Sequence, residues 1–374
     1  MSDKLFDEMY IVSSDAERQF GDQKNIFYDR ESDASHSVKS ALRAFDRDNG
    51  NLSSYYQEKV IPKLTDRSHN FFKWLIDSEL LSANVACPNS KHDQNCLNKM
   101  ELVIANGLYD SYQLRCKNCC RRESIRKHSI FYGIKCNLRS AIRILYGWCK
   151  GMDLEIMSNI LGLDKHIIGT MYNRTTKVVN NCLRLLRNLG GNNVVVLIDI
   201  YPHLMSNQRA LIKSSRPILC ITQISGIPQK YWLEALDYWD PNNSADVTKI
   251  TNQVHSIISS RVHPESTLVL PINSTLSFTH LAAKLKDQYC KVRCLDDLTK
   301  CSSSSEVLSS VLETIWNVPL AICEEAQYFN PDYVGQFLTK HIWNKVYEED
   351  SFVELIGLIA NETKRNEIDY CLNV

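Results

Sequence analysis

The chain has no excess of charge of either sign: 43 lysines and arginines stand against 43 aspartates and glutamates over 374 residues. That balance excludes a molecule-wide field steering it to nucleic acid or to a membrane, so any DNA-facing surface has to be local. No run of about 18 apolar residues occurs, and a membrane-spanning helix is therefore not expected. The opening MSDKLFDEMYIVSSDAE lacks the basic start and apolar centre of a secretory leader, which points to an intracellular protein with no membrane partner. Internal repeats are lacking too, so a repeat architecture is not expected.

What is present is a chain long enough for two or three domains, 44% hydrophobic and 23% charged, in the range of globular proteins. Residues 1–68 are rich in Ser, Asp, Asn and Gln and read as a weakly ordered polar arm, with a few amphipathic stretches such as SVKSALRAF. From His69 the character changes, because NFFKWLIDSELL places apolar residues at helical spacing. Residues 69–135 form a candidate zinc module and residues 136–190 read as helical throughout. After Gly190 and Gly191 the period switches, and VVVLIDI is a β-branched run of the kind that forms a buried strand. PILCITQIS, YWLEALDYW and STLVLPI read as further strands and DVTKITNQVHSIISSRV as an amphipathic helix, giving a mixed α/β domain over 191–347. A helical tail follows over 348–374.

The 14 cysteines sit in a long chain without an export signal, which argues against a disulfide framework. Cys136, Cys149, Cys182, Cys220, Cys290, Cys301, Cys323 and Cys371 fall mainly in apolar or mixed segments and read as reduced core residues. Cys116-Lys-Asn-Cys119 differs: two thiolates two residues apart grip one ion from a tight turn. Cys87 and Cys96 lie upstream, suited to the other half of a four-thiolate structural zinc site, although eight intervening residues make a long loop. His92 and Cys120 are the spare candidates, and four ordinary cysteines are the competing reading.

Between Arg115 and Lys150 ten basic residues face one acid, Glu123. Arg121, Arg122, Arg126 and Lys127 are the densest part of this patch and are candidate phosphate contacts, the alternative being a solvated helix face. EIMSNILGLDKHIIGTMYNRT then has the proportions of a helix-turn-helix, a short helix and a Gly-containing turn before a second helix. His166, Thr170, Asn173, Arg174 and Lys177 on that second helix would face a groove of double-stranded DNA, while Ile160, Leu161, Ile167, Ile168 and Met171 hold the pair together.

Several of these segments occur together in one family. CLNKMEL, LRCKNC, ESIRKHSIFYG, LGGNNVVVLID, the helix leading to STLVLPINSTL, LETIW and FLTKHIWNKVY resemble the Merlin superfamily of cut-and-paste DNA transposases and their bacterial insertion-sequence relatives, over about residues 70 to 347. The resemblance implies an RNase H-like domain preceded by a zinc-ribbon-like module and a helix-turn-helix. It implies Cys96, Cys116 and Cys119 as zinc ligands, leaving Cys87 as the fourth, and it puts the first catalytic acid at Asp199 and the third at Glu313. Where the family ends its second catalytic strand in Ser-Asp-x-Trp, this chain has Leu270, Pro271, Ile272 and Asn273. Arg293, Cys294 and Ser310 replace other polar residues of the pattern.

RNase H-like transposases clamp two divalent ions between carboxylates, and proline offers no side-chain oxygen. The expectation is a domesticated, catalytically inactive protein of the nucleus. Its expected partners are double-stranded DNA and chromatin or transcription-related proteins, with a homodimer compatible. Two alternatives are an active metal-dependent nuclease recruiting Asp296 or Asp297, and a protein-interaction scaffold whose DNA surface is vestigial.

Overall fold

The computed structural model describes residues 36–47, 53–82, 85–89, 96, 100–186, 189–202, 216–224, 229–240, 242–270, 278–295 and 305–373. The protein is a mixed α/β chain that divides into two compact units. The first comprises residues up to Val179 together with Asn344–Val374, and the second is Asn180–Trp343.

In the first unit, helix α1 (His36–Asp46) precedes a continuous helical stretch made of α2 (Ser53–Tyr55), a π-helical turn (Tyr56–Val60) and α3 (Ile61–Thr65), and then α4 (Ser68–Asp77). Strands β1 (Glu101–Ile104), β2 (Tyr112–Arg115) and β3 (Arg122–Glu123) form an antiparallel sheet. Helices α5 (Leu138–Cys149), α6 (Leu154–Leu161) and α7 (Lys165–Leu183) follow. Helix α5 is apolar nearly all round and buries Ile142, Ile144, Leu145, Tyr146 and Trp148 completely, as a helix at the centre of a unit must. Asn137 starts it, its side chain accepting from the Ser140 N–H at 2.7 Å.

The polar arm expected over residues 1–68 is corrected over its described part. Phe45, Tyr56, Val60 and Leu64 are buried, and the Tyr56 ring stacks on Tyr146 of α5 with centroids 3.6 Å apart. Arg143 of α5 reaches Asp46 at 2.9 Å, and the Tyr56 hydroxyl donates to the same carboxylate. Arg139 donates to the carbonyls of Leu64 and Asp66 and lies over the Phe71 ring. A few apolar anchors at helical spacing secure a segment whose average composition is polar. Residues 1–35 lie outside the described residues.

The tail expected to be helical over 348–374 is a helix, and it is anchored by buried side chains. Helix α12 (Ser351–Asn373) buries Phe352, Leu355 and Ile359, and Phe352 meets Tyr146 and Tyr56 edge-on at 5.2 and 5.6 Å.

The second unit is built on a five-stranded sheet of β4 (Val195–Tyr201), β5 (Ile218–Gln223), β6 (Tyr231–Ala235), β7 (Thr267–Leu270) and β8 (Lys291–Cys294), ordered β6-β5-β4-β7-β8. Strand β5 runs antiparallel to both β4 and β6, whereas β4, β7 and β8 are parallel. Helix α8 (Ser244–Arg261) links β6 to β7, α9 (Phe278–Lys286) links β7 to β8, and α10 (Ser305–Ala326) and α11 (Pro331–Tyr347) follow. Gly190 adopts φ +84° where the chain enters β4, and a Cβ there would collide with Ser266. The Gly191 N–H donates to the Ser266 hydroxyl, which ties this turn to the start of β7.

The four strands read from the sequence are present; β8 was not among them. KVRC exposes Lys291 and Arg293 and lies at the sheet edge, where one flank needs no apolar cover. Of the cysteines read as core, Cys136, Cys149, Cys220 and Cys323 are buried, Cys182 is half-buried, and Cys290 is exposed; Cys301 lies outside the described residues.

Because Tyr56 fills the space between α5 and α12, we expect Tyr56→Ala to destabilise the protein by about 3–5 kcal/mol, the usual cost of deleting a large buried ring. Denaturant unfolding checks it; a flexible arm would leave the midpoint unchanged.

Candidate metal centre and basic surface

Strand β2 ends at Arg115, and the chain reverses through Cys116–Cys119 before β3. The turn is closed by its own main chain: the Cys116 N–H donates to the Arg121 carbonyl at 2.9 Å and the Cys120 N–H to the Cys116 carbonyl at 3.0 Å. Cys87 approaches from the segment after α4, which is held to the start of β1 by the Met100 N–H donating to the Val85 carbonyl. The sulfurs of Cys87, Cys96, Cys116 and Cys119 all lie within 4.8 Å of one another, and those of Cys87 and Cys119 are 3.4 Å apart.

Four sulfurs at about 2.3 Å from one tetrahedral ion stand about 3.8 Å apart, so these separations bracket a thiolate cage. The donor set fits a thiophilic ion, and the cluster can hold a metal. Burial pushes the Cys87 and Cys96 thiols up, whereas the N–H groups of Cys119 and Asn118 aimed at Cys116 bring its thiol down to about 6. Such a thiolate is available at neutral pH to receive a cation. Cys120, one of the spare candidates, has φ +58° and is exposed, its sulfur accepting from Arg115 at 3.1 Å. His92 lies outside the described residues.

The basic residues beside the cluster divide into two groups. Arg121 and Arg122 are exposed; Arg121 bonds Asn89 at 3.0 Å and stands 3.8 Å from Glu123. Lys127 is half-buried and pairs with Glu123 at 3.5 Å. Arg126 corrects the expectation of a phosphate contact. It is 5% exposed, and its guanidinium binds Asp110 at 2.6 Å and the carbonyls of Ile134 and Cys136 at 2.8 and 2.5 Å. Each of its three nitrogens has an inward acceptor, because the planar fork suits a carboxylate and two carbonyls at once. Asp110 also accepts from the Leu138 N–H, the first residue of α5.

The two helices expected at the helix-turn-helix are α6 and α7. Asp153 caps α6 through the Glu155 N–H, and Gly162, at φ +62°, ends it. The Met157, Ile168 and Met171 side chains are buried, whereas Ile160, Leu161 and Ile167 are half-buried. Gly147 lets α6 approach α5 closely, since a Cβ there would stand 2.5 Å from the Met157 sulfur. On α7, His166, Asn173 and Lys177 are exposed and Thr170 is half-exposed. The α7 sequence, KHIIGTMYNRTTKVVNNCL, contains no acid. Arg174 is half-buried, and its Nη1 donates to the carbonyls of Ile130 and Tyr132 at 2.7 and 2.5 Å.

In the second unit Asp199 sits in β4, the central strand, 8% exposed. Among the described residues its carboxylate accepts only from the Ile200 N–H, at 2.7 Å. Burial pushes its carboxyl up to about 7. Leu197 pairs with Val269, so Asp199 lies at the same end of the sheet as the last residue of β7, Leu270. Pro271, Asn273, Asp296 and Asp297 are outside the described residues. Glu313 is exposed on α10 and Ser310 with it, whereas Trp316 and Cys294 are buried. Asp110 was missed because it lies upstream of the basic stretch. No protein-family model matches the chain, and no curated protein matches it.

We expect elemental analysis to find about one divalent ion per chain, and Cys116→Ser with Cys119→Ser to abolish it. Cobalt loading of the metal-free protein should give the visible absorption of thiolate-to-metal charge transfer, lost in the same variant.

The Asp199 carboxyl is raised in the folded state, so folding takes up its proton. Stability falls as pH rises from the unfolded value near 4 through about 7. Asp199→Asn removes this cost: the variant should be more stable above pH 7 by roughly 2–4 kcal/mol, at about 1.4 kcal/mol per unit. The difference should vanish below about pH 4. Thermal unfolding across pH checks it; equal stabilities at pH 8 would contradict the assignment.

Proposed function

We propose that this protein is a DNA- or chromatin-binding protein of the nucleus, descended from a Merlin-type DNA transposase and without strand-cleaving activity. The observation that carries the reading is the sheet order β6-β5-β4-β7-β8, with β5 running opposite to the other four strands. In order of appearance that is 3-2-1-4-5, the arrangement of an RNase H-like domain, with Asp199 on the first and central strand. The antiparallel sheet carrying Cys116 and Cys119 on its β2–β3 turn supports a zinc-ribbon-like module, with zinc as its structural ion. Bound there, zinc would crosslink the segment after α4 to the β2–β3 turn and do no chemistry.

Loss of catalysis is supported by what the described residues place around Asp199. A two-ion site needs several charged oxygens around a solvent-reachable cavity. Asp199 is buried and, among the described residues, has one backbone donor, the sequence supplies proline directly after β7, and Glu313 is on an exposed helix face. Hydrophobic pattern and volume suffice to keep such a sheet folded, whereas catalysis requires ligands placed to within fractions of an ångström. DNA binding is supported by the acid-free helix α7 and its exposed His166, Asn173 and Lys177. Recruitment of chromatin or transcription-related proteins would follow from that binding.

The test has two arms. With a DNA duplex, affinity should fall at least about tenfold between roughly 50 and 200 mM salt, because phosphate contacts release counterions; Lys177→Glu should weaken it further. With magnesium or manganese and varied DNA ends, no nicking or joining is expected. Cleavage lost in both Asp199→Ala and Glu313→Ala would establish an enzyme instead.

A further inference from the structure

We infer that Tyr132, fastened to helix α7 by Arg174, is a DNA-contacting residue, so that the DNA-binding surface is shared between the helix and the loop that follows the cysteine cluster. The inference rests on the DNA-binding reading above and names the contact within that site.

Around a helix at about 100° per residue, His166, Thr170, Asn173 and Lys177 fall within a stripe roughly 60° wide, and Arg174 lies about 60° to one side of Lys177. Arg174 therefore stands at the margin of the exposed face. Its guanidinium does not continue the stripe; it turns to the loop and holds the carbonyls of Ile130 and Tyr132 at 2.7 and 2.5 Å. A Cβ on Gly133 would lie 4.0 Å from the same guanidinium, so the loop runs directly along the flank of α7.

The loop's side chains then divide by what they can reach. Ile130, Phe131 and Ile134 are buried, whereas Tyr132 is 54% exposed and Lys135 is exposed. A turn that buries three apolar side chains and leaves one aromatic ring outside, alongside a basic helix face without acids, has the composition of a nucleic-acid contact. The ring offers a flat apolar surface to sugars and base edges, and the hydroxyl a donor to a phosphate. Lys135 adds a cation on the same segment.

Two carbonyl bonds to one guanidinium fix this loop relative to the helix, so the ring is presented at a set height beside the stripe before any ligand arrives. Order established in advance lowers the entropy lost on binding. Arg174 is accordingly a positioning residue.

The experiment measures binding of the full-length protein to a fluorescent mixed-sequence duplex about three helical turns long, at low salt. Tyr132→Ala should weaken binding about tenfold, in line with the loss of one aromatic contact, and Tyr132→Phe should retain most of the affinity. Arg174→Leu should weaken binding as well, and adding Tyr132→Ala to it should cost little more, because the ring is no longer held in place. Thermal unfolding of each variant separates loss of contact from loss of fold. If Tyr132→Ala binds as the unaltered protein does while Lys177→Glu does not, the inference fails and the DNA-binding reading stands. If the unaltered protein binds no duplex, the reading fails and the inference with it. Tighter binding to an RNA duplex of the same sequence overturns the choice of DNA.

Discussion

The buried pair of Arg126 and Asp110 joins the parts of the first unit. One carboxylate oxygen takes the guanidinium at 2.6 Å, and the other takes the Leu138 N–H that opens α5. The remaining arginine donors hold the carbonyls of Ile134 and Cys136. A single charge-assisted knot thus couples the β1–β2 connection, the loop after the cysteine turn and the start of the central helix. Removing either partner would leave a buried charge without its counterpart, which typically costs about 3–5 kcal/mol, far more than a surface pair contributes. The loop bearing Tyr132 lies between the residues of this knot, so the exposed edge of the unit inherits its rigidity from the buried one.

The readable and unreadable parts of this fold divide along physical lines. Buried strands β4, β5 and β7 announce themselves as β-branched runs, and α8 by its periodicity, because both faces or one stripe must be apolar. The edge strand β8 needs only one covered face and shows charge instead. Residues 36–65 hide their anchoring, since four buried side chains among many polar ones do not shift an average. The four cysteines were legible because ligand spacing is a local property. Arg126 was misread because charge was counted along a window that excluded Asp110, 16 residues upstream; a count of charge carries no information on which charges are already paired. The partners of Arg174 were not legible for a related reason, being backbone carbonyls that every residue possesses.

Asp199 carries its charge at a cost set by its surroundings. A carboxyl buried in the middle of a sheet, accepting among the described residues from one amide, is pushed up to about 7, so its protonated and charged forms coexist near neutral pH. In the protonated form it packs as a small polar side chain and repels nothing. The same position with several carboxylates and an ion would have been charged throughout. The sheet therefore keeps Asp199 at a cost in stability that grows as pH rises through about 7.

The first unit takes helices from both ends of the chain, with the second unit written between them. Phe352 closes on Tyr56 and Tyr146, yet nearly 300 residues separate Tyr56 from Phe352 in the sequence. During synthesis, which proceeds at about 5–20 residues per second, the ribosome finishes the entire second unit before the last helix of the first emerges. For that interval the apolar seat of α12 is open to water and to other chains. A premature stop anywhere in the second unit would consequently damage the cysteine-bearing unit upstream of it, and a fragment ending near Val179 would be an incomplete body with a vacant groove.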